Sequence, residues 1–200
     1  MKFKFLALLC YGLSVASAAV AGDFGVSVTL GHDLFEGRAP VADLNLLFGE
    51  SYGLRVEYMP SLTEALPSTL GSDTKVERSL NGDTVSYGLM KFWDMKHYHP
   101  SQGMPLSFLG AYSTLGYSQS EMVLHETMIS ASQSQLSFTE STRSVRPTSW
   151  IFETGFYGGD RFALIDLRLQ YRTSSFKPDW EPGKISYASW AMVVSGGVGF

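Results

Sequence analysis

Residues 186–200 read SYASWAMVVSGGVGF, and side chains along a β-strand alternate between two faces. One face of this stretch takes Ala188, Trp190, Met192, Val194, Gly196, Val198 and Phe200; the other takes Tyr187, Ser189, Ala191, Val193, Ser195, Gly197 and Gly199. The first face is apolar and the second is mostly small, which suits a strand with an oily environment on one side and a crowded interior on the other. Trp190 and Phe200 are ten residues apart, which at ~3.3 Å rise and a tilt of ~40° puts them ~25 Å apart along a membrane normal. That is the height of the apolar band between two aromatic girdles.

The other end of the chain bears on where such a strand would be used. Lys2 and Lys4 precede an apolar run from Phe5 to Ala16, and small residues follow at Ala16-Ser17-Ala18 and Ala19-Val20-Ala21. This predicts a secretory signal peptide over 1–21, cleaved after Ala18 or Ala21, with residues 22–200 as one mature domain. No later stretch is long and apolar enough for a spanning helix. Cys10, the one cysteine of the chain, falls inside the leader, so the mature chain is expected to hold no disulfide, thiolate metal site or cysteine nucleophile. Without Lys2 and Lys4, 13 basic residues face 19 acidic ones, a balance that disfavours nucleic acid as a partner. Aromatic content of 14%, 20 glycines and only 17% charged residues fit a barrel with an oily exterior. A soluble secreted β-sandwich has a similar composition and is the structural alternative.

The period of two recurs along the chain. The first strand, Phe24 to Gly31, sets Phe24, Val26, Val28 and Leu30 outward. The second, Val41 to Phe48, sets Ala42, Leu44, Leu46 and Phe48 against inward Asp43 and Asn45. After the turn Gly49-Glu50-Ser51, the third sets Tyr52, Leu54, Val56 and Tyr58 outward and Gly53, Arg55 and Glu57 inward. Pro60 to Asn81, with two prolines, reads as a long connection in which Leu62, Ala65, Leu66 and Leu70 pack on a rim or mark a partner patch. A fourth strand from Gly82 to Trp93 points Val85, Tyr87 and Leu89 outward; a fifth, Pro105 to Gln119, leaves Phe108 and Tyr112 competing with Leu109 and Leu115 for the outer face. Gly116 to Pro147 reads as a large loop with a short helix, because Ser118 and Glu121 have capping-box spacing and Val123, Leu124, Thr127, Met128 and Ala131 share a helical face. The sixth strand (Thr148 to Tyr157), the seventh (Phe162 to Arg172) and 186–200 complete an all-β, eight-stranded antiparallel up-and-down transmembrane β-barrel. Its connections alternate long and short. A barrel of eight strands is filled by its own side chains, which argues against a wide pore.

An alternating strand that stops on a carboxy-terminal Phe, with an apolar residue two places earlier, resembles the assembly signal of bacterial outer-membrane β-barrel proteins. Together with the leader and the loop order, the mature chain resembles the small OmpA-, OmpX- and opacity-type barrels. The resemblance implies Trp190, Val198 and Phe200 as the assembly signal. It also implies a Gram-negative outer membrane, contact with lipid, lipopolysaccharide and the barrel assembly machinery, and a role in envelope integrity or in adhesion to an outside partner through the loops.

Inward Asp43, Arg55, Glu57, Glu153, Asp166, Arg168 and Arg172 are expected to pair across the lumen as an ionic network, a proton or ion path being the other reading. Four histidines, His32, His97, His99 and His125, raise the question of catalysis. His99-Pro100-Ser101 has the His-x-Ser spacing of lipid A deacylase barrels, and palmitoyl-transferring barrels place His, Asp and Ser in outer loops. A lipid A-modifying deacylase or acyltransferase is therefore the alternative function. His32 with Asp33 and Glu36, and Glu121 with His125 and Glu126, carry ligand types without diagnostic spacing. No residue is assigned as catalytic, and no metal or cofactor is expected.

Overall fold

The computed structural model describes residues 24–35, 39–49, 51–71, 74–97, 107–132, 135–160, 163–180 and 183–199. The expected leader, Phe200 and the His99-Pro100-Ser101 triplet lie outside these residues. Every regular element among the described residues is a strand: β1 (Phe24–Asp33), β2 (Pro40–Phe48), β3 (Tyr52–Leu70), β4 (Thr74–His97), β5 (Phe108–Ser132), β6 (Gln135–Val145), β7 (Thr148–Gly159), β8 (Leu164–Phe176) and β9 (Ile185–Gly199). All ladders are antiparallel, in the order β4-β3-β2-β1-β9-β8-β7-β5-β6, and a β4–β5 ladder closes the ring.

The ring has eight staves because β6 and β7 are one stave broken in two. Both pair with the same edge of β5 in a single register, Gln119 opposite Thr148 and Met122 opposite Val145. The break falls at Arg146-Pro147, where Pro147 has no N–H for a ladder and its carbonyl takes the Ser120 amide at 3.1 Å. Nine strands are thus eight staves of an up-and-down barrel.

Outward and inward sets follow the alternation over most of the ring, but Val26, Ala42 and Tyr58, expected on the outer face, are buried. Leu30, Leu54, Tyr87, Leu89, Leu115, Trp150, Phe152, Phe156, Ile165, Leu167, Leu169, Trp190, Val194 and Val198 are exposed on the outer wall. Soluble proteins do not show an apolar belt of this extent. The fifth strand's register resolves in favour of Leu115 outside, with Tyr112 fully buried inside. Trp190 meets Tyr171 in a tilted contact with centroids 4.6 Å apart, and Tyr117 meets Trp150 edge-on at 5.9 Å, towards one rim. Near the other rim, Lys91 sits 4.0 Å from the centroid of the Tyr52 ring, which accommodates an outward lysine at the edge of the belt.

Two stretches read as loops are strand. Within 60–81 and 116–147 the described residues other than Gly71, Arg146 and Pro147 continue β3, β4 and β5 beyond the ring and add β6. The prolines expected to end β3 lie where its register slips, between Met59 and Leu62 and between Leu66 and Thr69. Above Tyr58, β3 has β4 as its sole ladder partner, so a missing N–H costs no bond there. At the first slip Ser61 adopts φ 57°, and its amide donates to Asp83 Oδ1 at 3.2 Å. The helix expected after Ser118 is β5 instead. Its apparent helical face mixes inward Leu124 (2% exposed) with outward Val123 (40%), and cross-strand pairing with β4 and β6 outweighs a short local helix.

In a bilayer, Val194→Lys on the outer face should lower unfolding free energy by about 2–4 kcal/mol. Ser195→Ala should be close to neutral, because Ser195 Oγ is buried with no hydrogen-bond partner among the described residues. Urea titration of the refolded protein in phospholipid vesicles measures both.

Candidate functional site

The inward side chains form three layers. At the rim from which the hairpins project, Val41, Met59, Leu62, Leu66, Leu80, Met122, Leu124, Val145, Phe176 and Val193 make an apolar plug. At the opposite end Met90, Phe92, Tyr112, Tyr157 and Leu164 make a second, extended by Leu47, Met95 and Phe108. Between them lies an ionic layer.

Arg168 on β8 is its centre. Nη1 donates to Asp43 Oδ2 (2.9 Å) and Asp166 Oδ2 (2.5 Å), Nη2 to Asp43 Oδ1 (3.0 Å) and Glu57 Oε2 (2.5 Å), and Nε lies 3.5 Å from Glu153 Oε1. Arg55 on β3 bridges the other side, with Nε to Asn45 Oδ1 (2.8 Å), Nη1 to Glu153 Oε2 (3.0 Å) and Nη2 to Asp166 Oδ2 (2.8 Å). Asp43, Arg55, Glu57, Glu153, Asp166 and Arg168 are thereby brought into one connected cluster drawn from β2, β3, β7 and β8. All six are buried.

Three further residues complete the cluster. Tyr112 accepts from Arg55 Nη1 (2.9 Å) and donates to Asp166 Oδ1 (2.7 Å), so its ring belongs to the lower plug while its hydroxyl belongs to the ionic layer. Gln170 donates to Glu153 Oε1 (2.5 Å) and accepts from Arg172 Nε (2.5 Å), and Arg172 Nη2 donates to Glu57 Oε1 at 3.1 Å. The sequence set Arg172 and Gln170 inward, but Tyr112 was hidden by the ambiguous register of its strand. Three guanidinium groups and four carboxylates with several donors apiece leave few lone pairs unmet. A void of ≈ 10 Å³ lies beside Glu57, Ser86 and Glu153.

The histidine groupings do not converge. His32 is exposed on the outer face of β1 and its ring Nδ1 bonds the Asp33 carbonyl at 3.0 Å, while Asp33 points inward and is 2% exposed. Glu36 lies outside the described residues. His125 faces outward on β5 whereas Glu126 faces the other way and holds Arg78 Nε at 2.6 Å. A strand turns neighbours in sequence to opposite faces, so proximity along the chain does not assemble a site here. Of the apolar residues near Pro60, Leu62 and Leu66 are buried in the upper plug and Leu70 is 79% exposed.

No family model and no curated protein matches the chain. Among solved structures it is similar to the N-terminal β-barrel domain of Pseudomonas aeruginosa OprF (9% identity, TM-score 0.40) and to Ail, the attachment invasion locus protein of Yersinia pestis (12%, 0.41), covering 88% of this chain and 96% of each. It is also similar to a major outer membrane protein from Thermus thermophilus (11% identity, TM-score 0.44), covering 88% of this chain and 98% of that one. The closed antiparallel ring of eight staves with an apolar outer wall is by its own geometry an up-and-down transmembrane β-barrel.

Arg168→Met should lower stability by about 3–5 kcal/mol, because it leaves buried carboxylates facing one another. Thr29→Val removes one donor to Asp43 Oδ2 (3.0 Å) and should cost about 1 kcal/mol. Equilibrium unfolding in detergent micelles measures the pair, and the milder variant gives a reading even where the first does not assemble.

Proposed function

We propose that the protein is an outer-membrane barrel whose span is a closed anchor and whose working surface is the sheet it projects. Its role is structural or interactive in the cell envelope. The observation that carries this reading is the layering of the lumen: among the described residues, apolar plugs stand at both ends of an ionic layer whose side chains pair across the bore. An ion path through the cluster would have to cross both plugs, so the ionic layer reads as filling.

The projecting sheet has the order β3-β4-β5-β6. From Asp83 to Thr74, β4 runs about 30 Å along its axis with no part of β1 or β2 beside it. Leu136 (67% exposed), Phe138 (65%) and Leu70 (79%) are presented near its far end. Exposed apolar side chains on a free edge strand are costly to leave without a function. They support an interaction with an outside partner. Lipopolysaccharide contact and insertion by the barrel assembly machinery, with Trp190, Val198 and Phe200 as the signal read, belong to the same proposal.

The protein should fractionate with outer membranes, run faster on gels unheated than boiled, and give no conductance steps in planar bilayers. Solute-sized conductance would overturn the closed-anchor reading. Trypsin added to intact cells should cut at Lys75 near the tip of the β3–β4 hairpin and leave the ring whole.

A further inference from the structure

The wall of the ring has a notch. The β1–β9 ladder ends at Asp33 opposite Val193, with a last bond from the Leu34 amide to the Met192 carbonyl at 2.7 Å. Beyond it, the Ile185–Ala191 part of β9 pairs with β8 alone. The β2–β3 ladder likewise ends at Ala42 opposite Tyr58, and β3 continues with β4 as its sole ladder partner. Among the described residues, two strand edges without a ladder partner therefore face each other, Glu64 on β3 reaching Tyr187 and Ser189 on β9. A cavity of ≈ 450 Å³ occupies the space between them.

The chemistry of this cavity has two sides. Phe35, Leu62, Ala188 and Trp190 give it an apolar flank, and Trp190, 56% exposed, stands in the outward phase of β9 at the aromatic rim. Arg172, 3% exposed, lies on the inward side. Its Nε and Nη2 are committed to Gln170 and Glu57, while Nη1 carries no hydrogen bond among the described residues. The two carboxylates of the cavity are already held. Glu64 accepts from Tyr187 Oη (2.7 Å) and Ser189 Oγ (3.0 Å), tying the two free edges together, and Asp33 Oδ1 accepts from the Phe35 amide at 3.0 Å.

We propose that this notch binds one acyl chain of a bilayer lipid laterally, with the chain along Phe35, Leu62 and Trp190 and its ester carbonyl accepting from Arg172 Nη1. The rim residue Trp190 belongs to the lipid-facing wall, so the occupant that meets the opening is lipid rather than a solute from the lumen. Two carboxylates beside a single guanidinium disfavour a phosphate there and leave a neutral acceptor as the matching group. The volume lies within the range of ordinary small-ligand sites.

The inference rests on the membrane reading above, and its test separates the two. The full chain, refolded in an ether-linked nonionic detergent that carries no ester, is incubated with 1-monopalmitoylglycerol and examined by native mass spectrometry. Wild type should retain one molecule. Ala65→Trp and Ala188→Trp, which fill the notch, should reduce retention at least tenfold, and Ser113→Trp on the outer wall of β5 should leave it unchanged. The ether analogue of the lipid should be retained several-fold less than the ester. Equal retention by wild type and the filled variants, equal retention of ether and ester, or none at all would overturn the inference while an intact heat-modifiable band upholds the barrel. Loss of that band in wild type would overturn both.

Discussion

A ring of eight staves encloses a space only as wide as the side chains that point into it, and the rest of this molecule follows from that constraint. Between the plugs a charged group carried inward finds its partners chiefly among other inward groups, although Thr114, Ser118 and Ser195 keep hydroxyls without a partner among the described residues. Arg168 meets this condition by pairing with carboxylates from four staves at once, Asp43 on β2, Glu57 on β3, Glu153 on β7 and Asp166 on β8 itself. Arg55 meets it from the opposite wall through Glu153 and Asp166. The staves are joined twice, by ladders around the rim and by ion pairs across the bore. Removing either arginine therefore does more harm than deleting one contact.

The ring was legible in the sequence because inside and outside differ so sharply. Leu167 and Leu169 alternate with Asp166, Arg168 and Gln170, and one-residue slips there would put arginine into the oily belt. Legibility fails where that contrast fades. Burial still alternates as far as Leu66 and Leu124, but beyond them the described residues of β3 and β5 are exposed or half-buried in either phase, so the period of two is lost. Pro60 and Pro67 read as chain breaks, yet they sit at register slips on a free edge, where the missing N–H has no partner to lose. The Ser118 to Glu121 spacing mimics a helix start for the opposite reason: it is a correct local pattern overridden by two long ladders.

For the ionic layer, the sequence identified which groups point inward but not which ones meet. Pairing across a bore depends on stagger between staves, and Asp43 and Arg168 are 125 residues apart in the chain. Tyr112 was the harder case. The bulge between Phe92 and Asp94 shifts the β4–β5 register near the lower rim, where Phe108, Leu109, Tyr112 and Leu115 are all large and apolar. Hydropathy has no preference among them. What decides is the phenol: inward, its hydroxyl bridges Arg55 and Asp166, and outward it would face the belt with nothing to bond.

Unequal strand length links the two surfaces that the fold leaves open. Hairpins β3–β4 and β5–β6 extend past the ring, whereas β1–β2 stops early at Asp33 and Pro40. The long hairpins raise a sheet beyond the ring; where the β1–β9 and β2–β3 ladders end, no ladder among the described residues joins β3 to β9. A free edge above the rim can be paired by water, but an edge beside Trp190 borders the apolar belt, where backbone groups without partners are costly. Glu64 reduces that cost by holding Tyr187 and Ser189 across the gap. The carboxylate is thus placed by the same stagger that opens the notch, and it works as a strut between two strands that no ladder joins.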